Sequence, residues 1–211
     1  MLTKKQLAIV LSQLKENPEP KPSLEQYEIP GELAAGIINI AYLSGDIENK
    51  TVLDLGCGSG RLTIGSVLMG AKKAIGIDID NNVLETAREN VELAEKLTNQ
   101  EIKHRVKFKK QDISEVKQRV DTVIQNPPFG IQKKHSDRMF LKKALECGNK
   151  IYSLHRSYYK SRKFLTKFIE QNEGKVEKII RFKFRIPHMF RFHEKPAVEY
   201  DVDLFVIKKV K

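Results

Sequence analysis

The sequence predicts an α/β fold: a Rossmann-like, mainly parallel sheet with helices on both faces, closed by an antiparallel C-terminal strand pair. Three observations carry the prediction. From residue 50 onward, short apolar runs alternate with amphipathic stretches of helical period, the pattern of successive strand–helix–strand units. The first apolar run opens directly into a turn with three glycines, Gly56, Gly58 and Gly60. At the far end, two long strand patterns, residues 176–184 and 197–207, are joined by a loop alone and therefore pair antiparallel.

The elements follow in order. Residues 3–15 place Leu7, Val10, Leu11 and Leu14 on one helical face. The segment ENPEPKP (16–22) ends that helix, because three prolines within five residues hold the chain extended. A second helix spans residues 30–42, with Pro30 in a first-turn position where its missing N–H is not needed. TVLDL (51–55) is a strand, residues 62–69 form a helix that Gly70 stops, and KAIGID (73–78) is the next strand. Asp80 or Asn81 caps a helix through residue 97 that shows Val83, Ala87, Val91 and Ala94 on one face. Strands at 106–112 and 121–126, a helix at 137–146, a strand at 150–155 and a helix at 160–171 complete the alternation. Residues 1–45 thus form a helical extension, and residues 46–211 the main domain.

Composition limits the function. The chain has 211 residues, 40% of them hydrophobic, enough for a core without disulfides or metals. No apolar run reaches the roughly 18 residues that a membrane span needs, and the N-terminus lacks a small-residue cleavage site. Cys57 and Cys147 lie 90 residues apart with no CxxC, so no metal is expected; they read as two reduced thiols of a cytoplasmic protein. The net charge is +11, unevenly spread: residues 150–195 carry 13 basic and 4 acidic side chains. A polyanionic partner is the first implication.

In open parallel sheets, ligands bind beyond the carboxyl ends of the strands. Four successive strands end on or near Asp54, Asp78, Asp112 and Asn126. The turn after the first reads Gly56-Cys57-Gly58-Ser59-Gly60-Arg61. A dinucleotide GxGxxG would need glycine where Arg61 stands, and GxxxxGK[ST] is absent. Asp78 can accept hydrogen bonds from ribose hydroxyls, and so acidic a rim suits a cationic ligand without phosphates.

Asn126-Pro127-Pro128-Phe129-Gly130 follows the fourth strand. Two prolines make a stiff corner, and Asn126 before a proline is held extended. Adenine N6 is a poor nucleophile because its lone pair is delocalised into the ring. Two acceptors aimed at its hydrogens, the Asn126 side-chain oxygen and the Pro127 carbonyl, would hold and pyramidalise it, with Phe129 stacking on the base.

The glycine turn and strand-end acids resemble motif I of the seven-stranded, class I S-adenosylmethionine-dependent methyltransferases. NPPF resembles motif IV of the amino-methyltransferases, which act on adenine N6 in DNA or RNA, cytosine N4, or a glutamine amide. EQY (25–27), DIENKTVLDLGCGSGRLTIGS (46–66), GIDID (76–80), NPPFG (126–130), IYSLHRS (151–157) and IPHMFRFHEK (186–195) ending in VEYDVDLFVI together resemble the archaeal and eukaryotic methyltransferase-like-five family over about residues 24–207. The resemblance implies S-adenosyl-L-methionine as cofactor. Gly56, Gly58 and Ser59 would shape the pocket for its methionine part with Asp54 close by, Asp78 would hold its ribose, and Asp112 with Ile113 would contact its adenine; Gln26, in the segment that closes over the cofactor, and Arg61 are further candidate contacts. It makes the 1–45 extension a lid over the cofactor. It implies N6-methyladenosine formation in small-subunit ribosomal RNA, and a small zinc-binding activator protein. One departure stands out: members often carry threonine two positions after the tyrosine of EQY, where this chain has Ile29.

Residues 150–195 interleave Tyr152, Tyr158, Tyr159, Phe182 and Phe184 with basic residues. Lys and Arg can neutralise phosphates while aromatics stack unpaired bases. His155, Arg156, Lys160 and Arg191 are the candidate substrate contacts, though His155 fits a hydrogen-bonded histidine at a strand end at least as well. The same stretch also fits an amphipathic strand and helix with solvated charges. DNA-adenine methylation, protein-glutamine methylation and a non-catalytic RNA-binding module remain open alternatives.

Overall fold

The computed structural model describes residues 1–129, 136–187 and 197–210. Seven strands form one sheet: β1 (Thr51–Leu55), β2 (Lys73–Asp78), β3 (Val106–Lys110), β4 (Val120–Gln125), β5 (Gly148–Arg156), β6 (Gly174–Pro187) and β7 (Ala197–Lys209). Their order is β3-β2-β1-β4-β5-β7-β6. The first five are parallel, and β7 runs antiparallel to both β5 and β6. The chain order reverses between β1 and β4, which opens a crevice where the turns after these strands diverge to opposite sides.

Six helices cover the sheet: α1 (Lys4–Gln13), α2 (Gly31–Leu43), α3 (Arg61–Leu68), α4 (Asn81–Thr98), α5 (Ser136–Cys147) and α6 (Tyr159–Gln171). Side chains alternate across each strand. Val52, Ile124 and Leu204 therefore join one buried cluster with α1 to α4. Leu53, Val123, Ile151 and Phe205 join a second with α5 and α6. The N-terminal helices are part of the first cluster: Leu7, Leu11, Ile37 and Ile38 are fully buried. At about 1.5–3 kcal/mol per buried aliphatic side chain, this anchors the extension firmly to the domain. Thr3 starts α1 through a capping box with Gln6.

The sequence-predicted strands and helices fall within a few residues of those observed, with two instructive differences. β3 stops at Lys110 because Asp112 caps a single 3₁₀ turn, its carboxylate accepting from Ser114 N at 2.8 Å. The β6–β7 pair is longer than its apolar pattern: it continues to Pro187 and Ala197, whereas β5 ends at Arg156 opposite Val202. Among the described residues no helix is long and apolar enough to cross a membrane.

Candidate active site

The turn after β1 is built by backbone geometry. Gly56, Gly58 and Gly60 all have left-handed φ, of 70°, 52° and 88°. At Gly60 a side chain is excluded twice over, since a Cβ would sit 2.8 Å from the Phe108 ring. The amides of Gly56 and Cys57 both donate to Ile77 O, at 2.8 and 3.0 Å, which ties the turn to the end of β2. Gly58 N donates to Asp78 Oδ2 at 3.0 Å, and Asp80 N to Asp78 Oδ1 at 3.0 Å. Beside Gly58 the space is open, with no atom within 4 Å of the point a Cβ would occupy, so a ligand can approach the backbone there. Burial, reinforced by Asp54 and Asp78, pushes the Cys57 thiol well above its usual range, leaving it a packing group.

Asp54, 1% exposed, anchors the floor of the cleft. Its Oδ2 accepts from Thr63 Oγ1 at 2.7 Å, while its buried Oδ1 has no partner. Burial pushes its pKa up to about 7, against the Thr63 hydrogen bonds. Burial also raises Asp78, opposed by the amides of Asp80 and Gly58. Asp112 and Ile113 line the same cleft. A buried carboxylate oxygen without a donor is costly unless a ligand brings a donor or positive charge. The orphaned Asp54 oxygen and the open space at Gly58 therefore fit a cationic ligand that carries N–H or O–H groups.

The segment between α1 and α2 forms the opposite wall. Gln26 Nε2 donates to Asp80 Oδ2 at 3.1 Å, and its Oε1 accepts from Asn17 Nδ2 and Lys21 N at 3.1 and 2.7 Å. Lys21 Nζ sits 2.9 Å from Asp80. Burial alone would raise Asp80, but the Lys21 and Gln26 hydrogen bonds outweigh it and hold its pKa below the usual range. Glu28 accepts from Ser59 Oγ at 2.8 Å, Arg61 Nη1 at 3.3 Å and Asn17 N at 3.2 Å; burial still raises it. Ile29 is buried and offers the cleft no hydroxyl.

Two turn residues take roles other than those expected. Arg61, 4% exposed, borders the cleft, but its guanidinium is spent on the N-terminal segment. It donates to the carbonyls of Leu11, Leu14 and Ile29 at 3.0–3.1 Å and contacts Glu16 and Glu28. The hydroxyl of Ser59 is likewise taken by Glu28. Both fasten the cleft's wall instead of facing its interior. Asn17, Glu28, Met139 and Phe140 line the cleft without having been singled out from the sequence. Only the proline-rich break at 16–22, which forces the chain across the sheet's open end, hinted at the first two.

Asn126 and Pro128 share the cleft with Asp54 and Asp78. Asn126 Oδ1 is buried with no partner, an acceptor without a donor. Pro127 is buried. Phe129 is half-buried, and its ring packs against the cluster formed with α1 to α4. Behind the corner, Gln125 Nε2 donates to Ser153 Oγ at 2.9 Å, and Ser153 Oγ lies 2.7 Å from His155 Nε2. His155 is 2% exposed and edge-on to Phe205, 5.5 Å between centroids. Burial pushes its pKa down to about 4, with Asp203 opposing. It is a neutral, hydrogen-bonded interior histidine, the second of the two readings its strand-end position allows, and the contact with substrate is corrected.

Arg156 is half-buried, its guanidinium 4.8 Å above the Tyr158 ring. Lys160 is exposed in the first turn of α6. Arg162, by contrast, is bidentate to the buried Asp203 at 2.5 and 2.6 Å. Arg191, with the rest of its loop, lies outside the described residues. Among the described residues no group of three or more His, Cys, Asp or Glu could hold a metal.

Comparison with known proteins agrees with this arrangement. The family model of ribosomal protein L11 methyltransferase (PrmA) matches residues 40–127. An uncharacterized protein of Methanocaldococcus jannaschii is 45% identical over all of this chain and 96% of its own length. The rRNA N(6)-adenosine-methyltransferase METTL5 of Danio rerio is 36% identical, over 94% of this chain and 95% of its own. A Pyrococcus horikoshii crystal structure, titled an RNA methyltransferase on a provisional basis, superposes with a TM-score of 0.91 at 41% identity, with full coverage of both chains.

Proposed function

The chain belongs to the METTL5 family of rRNA N6-adenosine methyltransferases, and from that premise we propose that it methylates N6 of an adenosine in small-subunit ribosomal RNA with S-adenosylmethionine as donor. The observation that carries the reading is the pairing, in one cleft, of two orphaned acceptors: Asp54 Oδ1 at the glycine turn and Asn126 Oδ1 at the end of β4. When bound, the cofactor supplies an electrophilic methyl group on a sulfonium. Gly56, Gly58 and Asp54 hold its methionine part, Asp78 its ribose, and Asp112 with Ile113 its adenine. Gln26, Ser59 and Arg61 act from behind, by securing residues 16–29 as a lid.

Asn126 Oδ1 accepts one hydrogen of the target amine, and the Pro127 carbonyl the other. Both are non-titratable, so they orient the nitrogen lone pair and leave the departing proton to water. The rate gain comes from alignment of the two reactants in the cleft. Pro128 stiffens the corner, and Phe129 supports it from the core. Arg156, Lys160 and Arg191 contact the RNA backbone, and His155 braces Ser153 and Gln125 beneath the corner. The protein works in the cytoplasm, with a small zinc-binding activator that adds a strand at an open sheet edge; β3 and β6 are the two edge strands.

The test supplies labelled S-adenosylmethionine, separated small- and large-subunit rRNA from cells lacking the protein, matched DNA and ribosomal protein. Label on small-subunit rRNA, recovered after digestion as N6-methyladenosine, is the expected result. Label in deoxyadenosine, cytidine or glutamine would overturn the reading. Copurification of a small zinc protein from the native host tests the activator separately.

A further inference from the structure

We propose that Tyr158 and Tyr159 form a stacking ledge for unpaired RNA nucleotides flanking the adenosine held at Asn126; the ledge rests on the RNA-methyltransferase reading above. β4 and β5 are parallel neighbours, with Gln125 opposite Ser153. The chain therefore leaves β4 at Asn126 and β5 at Arg156 on the same end of the sheet, side by side. Tyr158 and Tyr159 come immediately after this exit.

The two rings are left in the open. Tyr159 is 84% exposed and Tyr158 50%, and Phe164, one turn further along α6, is 43% exposed. Aromatic side chains grouped at a surface usually mark a contact site, since each forfeits a large burial gain when left in water. Guanidinium groups accompany them: Arg156 lies 4.8 Å over the Tyr158 ring, and Arg138 of α5 lies 4.2 Å over Phe164. Met139, the neighbour of Arg138, lines the cofactor cleft. Exposed rings with accompanying cations therefore recur from the end of β5 through the first turns of α6.

Charge selects the occupant. α6 carries Lys160, Arg162, Lys163 and Lys167 against a single acid, Glu170. Arg162 is neutralised internally by Asp203, which leaves the three lysines facing outward. Exposed ring faces can stack bases of any identity, and the lysines can neutralise the phosphates between them. Unpaired RNA offers both features at once, and an enzyme acting on one extruded base must hold the strand on either side of it.

The experiment uses a single-stranded oligoribonucleotide of about a dozen residues carrying 2-aminopurine, whose fluorescence is quenched on stacking, together with a methyl-transfer assay on small-subunit rRNA. Wild-type protein should quench the probe. The double substitution Tyr158→Ala and Tyr159→Ala should lose the quench and raise KM for RNA about 10-fold or more, as expected for stacking partners. Cofactor affinity and kcat should stay within about two-fold, and the paired phenylalanine substitutions should restore the quench. Both positions are exposed, so an unchanged melting temperature checks that the fold survives. Equal quenching and KM in the double alanine variant would overturn the ledge and leave the surface to a protein partner, as would a wild-type protein that does not quench. Quenching without any methylation of RNA would instead overturn the proposed function.

Discussion

Residues 40–127, the part of the chain that the L11 methyltransferase model matches, and the part beyond it treat their polar groups in opposite ways. In the first, charged and polar side chains are buried and interlocked: Arg61, Asp54, Asp78, Asp80 and Ser59 are each less than one-tenth exposed. Nearly all their hydrogen bonds hold the cleft's own walls together. In the second, rings and lysines stand in water around α6, while a half-buried Arg162 covers the buried Asp203 and the Ser153–His155 pair is sealed beneath the surface. The difference teaches where each kind of specificity is kept. A small ligand with few contacts needs a rigid, pre-formed cleft, whereas a polyanion is gathered by exposed charge and stacking surfaces.

Substitutions can break that comparison or sharpen it. The largest effect belongs to Arg61→Met, which strands three buried carbonyls and leaves Glu28 without its cation. Loss of a buried pair of this kind costs about 3–5 kcal/mol, so chemical denaturation should show a large drop in stability and loss of cofactor binding with it. An exposed-residue-sized change would mean that the N-terminal segment is not held through Arg61.

Asp54→Asn separates binding from folding. The amide oxygen can still accept from Thr63, so stability at pH 8 should not fall. Calorimetry should show cofactor affinity weakened roughly 10-fold, the scale of one charge-assisted contact. Because burial sets the Asp54 pKa at about 7, the wild-type affinity should rise between pH 6 and 8 as the carboxylate ionises. The asparagine variant should lack that component.

A pH signature of opposite sign is expected from the sealed Ser153–His155 pair in the second part of the chain. His155 has its pKa pushed down to about 4 from an ordinary 6.5, so between these values the unfolded chain binds the extra proton. Its contribution to stability is complete above about pH 6.5 and is lost as the pH falls toward 4, about 3 kcal/mol by linkage. Asp54, raised by burial, acts with the reverse sign: between about pH 4 and 7 the folded chain holds the extra proton, and stability falls as pH rises. His155→Gln should therefore flatten the acid limb of the stability curve, which urea unfolding at several pH values would reveal. The smallest effect is that of Lys163→Ala: below about 0.5 kcal/mol in stability, but with a shallower salt dependence of RNA binding.

Much of this was legible in the sequence because two local signals coincide. The alternation of TVLDL, KAIGID and DTVIQN with amphipathic stretches carries the fold class, and the strand ends carry Asp54, Asp78 and Asn126 to one crevice. The strand order β3-β2-β1-β4-β5-β7-β6 carries no such local mark, because it is set by pairing between segments distant in sequence. Arg61 misleads because its place in the turn says nothing of a guanidinium that reaches back to Leu11 and Leu14. His155 misleads for a related reason. Being at a strand end does not decide which face of the sheet a ring occupies, and here the imidazole turns inward. Glu28 was invisible for want of any motif; its importance comes from Ser59 and Arg61, distant in sequence and adjacent only once folded.

The central claim is that the glycine turn holds the cofactor while the corner after β4 holds the amine. Asn126→Ala tests it most directly, with cofactor dissociation constant and single-turnover methyl transfer to small-subunit rRNA measured on the same preparation. The account predicts affinity within about two-fold of wild type and turnover reduced by roughly 10²–10³, the range for removal of one positioned hydrogen-bonding group in an active site. Turnover close to wild type, or affinity and turnover falling together, would contradict it.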